Sequence, residues 1–97
     1  MDITVQELRE RLDQGETLHI IDVREPNEYA EDNIGGMLIP LGELPYRLDD
    51  IESLQNEEVI VHCRSGKRSA MAQQILEENG FSNVRNLEGG MLAYRAS

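Results

Sequence analysis

Val59-Ile60-Val61-His62-Cys63-Arg64-Ser65-Gly66-Lys67-Arg68-Ser69 is the stretch that decides how this chain folds. The short apolar run at its start reads as a buried strand. It stops at the only cysteine of the protein, and small or cationic residues follow. Ser69-Ala70-Met71-Ala72-Gln73-Gln74-Ile75-Leu76 then opens a helical pattern. Strand, tight loop and helix in that order put one thiol at the C-terminal end of a strand. In open parallel α/β sheets, ligands bind at that end.

A thiolate is the nucleophilic form of cysteine, and at an unperturbed pKa near 8.5 only about 3 % is ionised at pH 7. A helix N-terminus aims free N–H groups and positive dipole at whatever precedes it. Arg64, Lys67 and Arg68 add cationic side chains beside Cys63. A pKa lowered to about 6.5 would leave roughly three quarters of the thiol ionised at pH 7. Ser65 and Gly66 are small, so the backbone can curl around the sulfur with its N–H groups turned inward as an anion-binding nest. A cysteine that closes an apolar strand is in most chains an inert small hydrophobe. The cationic loop reverses that reading and makes Cys63 the candidate nucleophile.

Cys63-Arg64-Ser65-Gly66-Lys67-Arg68-Ser69 resembles the active-site loop of single-domain rhodanese-like sulfurtransferases. Two further segments carry the same resemblance. Asp22-Val23-Arg24-Glu25-Pro26-Asn27-Glu28-Tyr29 is similar to the family's first motif. Gly89-Gly90-Met91-Leu92-Ala93-Tyr94 is similar to its C-terminal motif, with Tyr94 where the family commonly has Trp. The resemblance spans Ile3 to Arg95. It implies that Asp22 lies near the active-site loop and that Arg24 ties its strand to the next helix through acidic partners. A structural ion pair between Arg24 and Glu28 is expected, with Asp22 either supporting the loop or taking part in catalysis. Asp32-Asn33-Ile34-Gly35-Gly36-Met37 departs from the family pattern, which has Gly-His before the Ile. Asn33, tolerant of left-handed backbone, is expected to make the turn that Gly makes elsewhere.

The 97 residues suit one domain, 1–97, with a modest core. Only one Phe and three Tyr accompany an apolar content of 39 %, so the core is aliphatic. A formal charge of −10 argues against nucleic acid as partner. No apolar run reaches the roughly 18 residues that span a membrane. Met1-Asp2-Ile3-Thr4-Val5-Gln6-Glu7 is acidic and patterned, unlike a secretory signal. A single cysteine permits no internal disulfide, and the cytoplasm and a monomer are expected. With no second thiol and no His pair at ligand spacing, neither metal nor other cofactor is implied.

Taken in order, Ile3 begins a short strand, and Thr4 with Glu7 fits a capping box for a helix that Gly15 stops. Leu18 to Arg24 is a second strand, with His19 a packed or partly exposed residue of it. Pro26 opens a helix, and Met37-Leu38-Ile39 is a third strand closed by Pro40. Leu44, Leu48 and Ile51 mark a partly helical stretch in which Pro45 suits only the first turn. His62 points away from the thiol because neighbouring strand residues face opposite sides, which makes it a poor base. The helix after the loop buries Met71, Ala72, Ile75 and Leu76 and ends at Gly80. Asn83 to Leu87 is the last strand. Five strand signals alternating with helices predict an α/β fold, a mostly parallel five-stranded central sheet with helices on both faces.

The resemblance implies a sulfurtransferase that moves sulfane sulfur from thiosulfate or a related small anionic donor to cyanide or a thiol through a Cys63 persulfide. Arg64, Ser65, Gly66, Lys67, Arg68 and Ser69 would hold the donor and the persulfide. A persulfide carrier between proteins, or a binding module without turnover, are the alternatives. Certain cell-cycle cysteine phosphatases share the architecture, but need Cys, five residues, then Arg. Here that position is Ser69, and Arg68 comes one place early.

Overall fold

The computed structural model describes residues 1–97. Its elements run α1 (Val5–Asp13), β1 (His19–Asp22), α2 (Pro26–Glu31), β2 (Met37–Leu38), two 3₁₀ segments (Leu44–Tyr46 and Leu48–Leu54), β3 (Glu58–His62), α3 (Lys67–Glu78), β4 (Asn83–Asn86) and α4 (Gly90–Ala96). The strands form one parallel sheet in the order β2-β1-β3-β4. From β1 the chain crosses outward to β2, then returns to the other side of β1 with β3. The crevice between β1 and β3 is therefore the topological switch point, where such sheets bind ligands. Asp22 and His62 are register partners at the C-terminal end of these two strands, and Cys63 is the next residue.

The central strands are apolar on both faces, as parallel strands covered on both sides must be. Ile21, Val23, Val59, Val61 and Cys63 pack with Ile39, Leu44, Ile51, Ala72, Leu76, Phe81 and Val84 against α3 and the 3₁₀ segments. Ile20 and Ile60 point to the other face, where they meet Ile3, Val5, Leu8, Leu87 and Tyr94 of α1, α4 and the chain around β4. The alternation of Val59, Ile60 and Val61 between the two clusters is the period-2 pattern of a strand. Each such side chain contributes about 1.5–3 kcal/mol by leaving water. Ile60→Ala would open a cavity on the α1 side and remove about 2–5 kcal/mol.

The sheet has four strands, not five. Ile3 makes one parallel bridge to Leu87, its N–H donating to Asn86 O at 3.0 Å. The next residue, Thr4, already caps α1 with Oγ1 accepting the Glu7 N–H at 3.1 Å, so the extended segment ends after one bridge. The Thr4–Glu7 capping box is half formed, because the Glu7 carboxylate turns to Arg85 at 2.7 and 3.0 Å.

Other expectations shift in the same way. Leu44 and Ile51 are buried as their spacing predicts, but the backbone is 3₁₀. Pro45 withholds an N–H from the first segment, and Ile51, at φ −123°, breaks the second. Asn33 has no positive φ. Its Oδ1 accepts the Gly35 N–H at 2.9 Å in an Asx turn, and Gly35 takes the left-handed conformation at φ +84°. On α3 the buried stripe is Ser69, Ala72 and Leu76. Met71 lies about 100° around the helix from Ala72 and is 58 % exposed.

Candidate active site

The loop from Cys63 to Ser69 is shaped by backbone hydrogen bonds at both of its ends. Gly66 sits at φ +104° as the N-cap of α3, a conformation in which an L side chain is strained. That turn directs the Gly66 N–H at Cys63 Sγ, 3.1 Å away. At the opposite end, the Met91 N–H donates to Cys63 O at 2.9 Å and the Leu92 N–H to Arg64 O at 3.0 Å. These are first-turn donors of α4, which have no partner within their own helix. The approach is close enough that a Cβ on Gly90 would lie 2.5 Å from Cys63 O and 2.6 Å from Arg64 O. The Gly89-Gly90 motif thus seats the nucleophile loop directly.

Three donor groups lie within reach of the sulfur: the Gly66 N–H at 3.1 Å, the Ser69 N–H at 3.4 Å and the Ser69 hydroxyl at 3.3 Å, whose one proton is shared with a second acceptor, Asn86 Oδ1. Burial by itself would push the Cys63 thiol up. The Ser69 hydroxyl and the N–H groups of Ser69, Gly66 and Ser65 outweigh it and hold the thiol below its ordinary value. Cys63 is 1 % exposed, so the sulfur sits beneath the loop that supplies its donors. Such a site stabilises a thiolate or an anionic sulfur attached to it.

The three cations beside Cys63 divide into two roles. Arg68 is bound to Glu28 of α2 through Nη1–Oε1 at 2.7 Å and Nη2–Oε2 at 3.0 Å. The Arg68 guanidinium holds the Glu28 carboxyl down to about 2. This fork ties α3 to α2 across the loop. Arg64 and Lys67 are exposed and belong to no ion pair. Arg64 lines a cleft of about 320 Å³ beside the loop, together with Met91, Leu92 and Arg95 and, on its far side, Arg24, Glu28, Glu31 and Asp32. Arg64 and Lys67 are thus the loop cations without a carboxylate partner.

Asp22 and Arg24 form a buried pair of their own. Asp22 Oδ1 accepts the Arg24 N–H and Nε, both at 3.0 Å, and Oδ2 accepts Nη2 at 2.8 Å. Nη2 also donates to Asp32 O at 2.7 Å, and Nη1 to Glu28 O at 3.4 Å. Arg24 therefore satisfies carbonyls at the end of α2 instead of forming the expected ion pair with the Glu28 side chain, which Arg68 has taken. No hydrogen bond joins Asp22 to the loop. His62, fully buried, has both ring nitrogens without hydrogen bonds, and Nε2 lies 3.6 Å from Asp22 Oδ2. Burial lowers its pKa despite the Asp22 carboxylate. By strand alternation it shares the face of Ile60, away from the thiol.

Two contributors escape the sequence reading. Glu28 reads as a partner for Arg24, yet it anchors Arg68. Asn86, buried at the end of β4, accepts the Ser69 hydroxyl at Oδ1 (2.6 Å) and donates from Nδ2 to Gly66 O at 3.1 Å. A signal was present: Asn86 falls two residues after Val84, on the inward face of a strand where an amide is unexpected.

Comparison with known proteins identifies the family. A family model described as "Rhodanese-like domain" matches residues 4–97. A relative from Bacillus subtilis (strain 168), "Putative sulfurtransferase YtwF", is 37% identical over 94 residues, covering 96% of this chain and 88% of its own. "Putative sulfur carrier protein YrkF" of the same organism is 37% identical over 91 residues, 93% of this chain. The chain spans only 48% of that relative's length. A crystal structure of a rhodanese-like domain protein from Staphylococcus aureus superposes with a TM-score of 0.84 at 37% identity, covering 97% of this chain and 91% of the other.

Proposed function

This chain belongs to the rhodanese-like domain family, and on that premise we propose that it is a sulfurtransferase working through a persulfide on Cys63. The observation that carries the reading is the trio of donors on Sγ, from the Gly66 N–H and from the N–H and hydroxyl of Ser69. They favour charge on a buried sulfur. The loop is also one residue too short for the Cys, five residues, Arg pattern that wraps phosphate.

The reaction is ping-pong covalent catalysis. The Cys63 thiolate attacks the outer sulfur of thiosulfate. The bond between the two donor sulfurs breaks, and its electron pair leaves with sulfite. Arg64 and Lys67 attract the dianionic donor and offset charge developing on the departing sulfite. The inward N–H groups then hold the persulfide anion. Cyanide in the test tube, or a thiol in the cell, attacks the outer sulfur and releases Cys63 as thiolate. These 97 residues hold one cysteine, so the acceptor lies outside this domain.

One observation favours a second reading, a carrier that takes sulfur from another protein's persulfide. Glu28 neutralises Arg68, which leaves two free cations for a small dianion where the sequence has three. The resemblance to a protein named as a putative sulfur carrier points the same way. Intact mass after incubation with thiosulfate separates the readings. A gain of one sulfur atom, removed by cyanide as thiocyanate and absent in Cys63→Ala, is the expected result. Loading by a persulfide donor but not by thiosulfate would favour the carrier. Loading by neither would overturn both and leave a binding module.

A further inference from the structure

The Ser69 hydroxyl has one proton and two acceptors within reach. Cys63 Sγ lies 3.3 Å away and Asn86 Oδ1 2.6 Å away. A hydroxyl can donate to one of them at a time. Asn86 is itself fixed, since Nδ2 donates to Gly66 O at 3.1 Å and its backbone N–H donates to Asp2 Oδ1 at 3.2 Å. The bond from Nδ2 determines which end of the amide faces Ser69: the oxygen, an acceptor only.

We propose that Asn86 is a positioning residue for the nucleophile, whose side-chain oxygen competes with the Cys63 sulfur for the single proton of the Ser69 hydroxyl. This rests on Cys63 being the sulfur nucleophile. In the thiol state the S–H donates to Ser69 Oγ, and the hydroxyl donates to Asn86 Oδ1. When Cys63 ionises, the hydroxyl turns to the sulfur, and Asn86 Oδ1, in a buried residue, loses its partner. Once a second sulfur is attached, the charge moves to the outer atom and the hydroxyl returns to Asn86. The pair therefore makes the free thiolate less comfortable than the loaded, persulfide state, which favours loading. A residue that never touches the reacting sulfur thereby sets its readiness.

The charged groups around the sulfur are Arg64 of the loop, Lys67 and Arg68 in the first turn of α3 with Glu28 of α2 bound to Arg68, and the Asp22–Arg24 pair at and just beyond the end of β1. Asp2 stands behind Asn86, His62 precedes Cys63 on β3, and Arg95 of α4 is paired with Asp32. Replacing Asn86 by Leu alters none of these charges. It removes both amide functions at similar volume, so loop loosening from the lost Gly66 bond must be separated from release of the hydroxyl.

A double-mutant cycle on the pH dependence of Cys63 alkylation by iodoacetamide makes that separation. Asn86→Leu, Ser69→Ala and the double variant are compared with the unmodified protein. Loosening acts in both backgrounds, whereas the freed proton acts only where Ser69 is present. The expected result is a midpoint lower in Asn86→Leu than its shift in the Ser69→Ala background allows, by half a unit to one unit. That is about three- to tenfold in rate at a pH below the midpoint. Equal shifts in the two backgrounds, or none, would overturn the proposal. Asn86→Asp provides a second cycle should Asn86→Leu unfold, as judged by circular dichroism. It strengthens the acceptor and should raise the midpoint more with Ser69 than in Ser69→Ala, and equality would again refute the idea. Failure of the cycle leaves the sulfur-loading assay untouched, while failure of loading with a normal cycle would count against Cys63 as the sulfur carrier alone.

Discussion

Replacing Gly90 with Ala tests whether the C-terminal glycine pair holds the nucleophile loop in place. Gly90 has φ +58°, in the left-handed region where an L residue loses about 1–2 kcal/mol. The new methyl would also stand 2.5 Å from Cys63 O, 2.6 Å from Arg64 O and 2.7 Å from Arg64 C. All three are backbone atoms and cannot rotate aside. Cβ contacts below 3.0 Å are essentially never seen, so α4 and the loop must part by about half an ångström. The bonds from Met91 N–H to Cys63 O and from Leu92 N–H to Arg64 O lie in the path of that movement. Strain and weakened bonds together should cost about 2–4 kcal/mol of stability. Because the movement displaces the residue that carries the sulfur, loading should fall by one to two orders of magnitude in the surviving folded protein. Urea unfolding gives the first quantity, and the rate of sulfur gain on Cys63 by intact mass gives the second. Gly90→Ala with unchanged stability and loading would refute the view that this contact seats the loop.

Arg24→Met leaves the Asp22 carboxylate buried without its partner and frees the carbonyls of Asp32 and Glu28, so urea unfolding should show a loss of about 3–5 kcal/mol. His62→Leu should be neutral or stabilising by up to about 1 kcal/mol, because it removes two buried nitrogens that lack hydrogen bonds, and sulfur loading should persist. A large loss of loading without unfolding would mean that the imidazole takes part in the chemistry. Glu28 and Glu58, both held at about 2 against an ordinary 4.5, bind protons more weakly folded than unfolded. Their stabilisation is present above about pH 4.5 and is lost as pH falls toward 2, so thermal midpoints should drop across that window. In Glu28→Gln with Glu58→Gln the drop should shrink, and an unchanged acid profile would refute the assignment.

Periodicity along the chain was enough to locate β1, β3, β4, α1 and α3, because burial on a strand or helix leaves a pattern that one sequence displays. The loop was legible for a similar reason: a lone cysteine, a glycine and a helix start lie within seven residues, and the donors on Sγ are local in sequence. Arg68 was legible as a cation near Cys63 but not as the partner of Glu28, forty residues away. Asp22 and Arg24 were legible as a charged pair two residues apart at a strand end, whereas the reach of Arg24 to the carbonyls of Glu28 and Asp32, in place of the Glu28 carboxylate, depends on the path of α2.

What the sequence by itself determined is the class of fold, the position of the single cysteine at a strand end and the tight turn around it, all of which follow from neighbours in the chain. The tertiary structure decided the rest. It stopped the first strand at a single bridge because Thr4 turned the chain into α1, and it brought Asn86 from β4 behind Ser69. It also placed the N–H groups of Met91 and Leu92 beneath the carbonyls of Cys63 and Arg64. The contacts of Asn86 with Ser69 and of Met91 and Leu92 with the loop join residues 17 and 28 apart in the chain. A hydrogen bond acts over about three ångströms. Only the packing of β4 and α4 against the end of β3 brings such distant groups within that range.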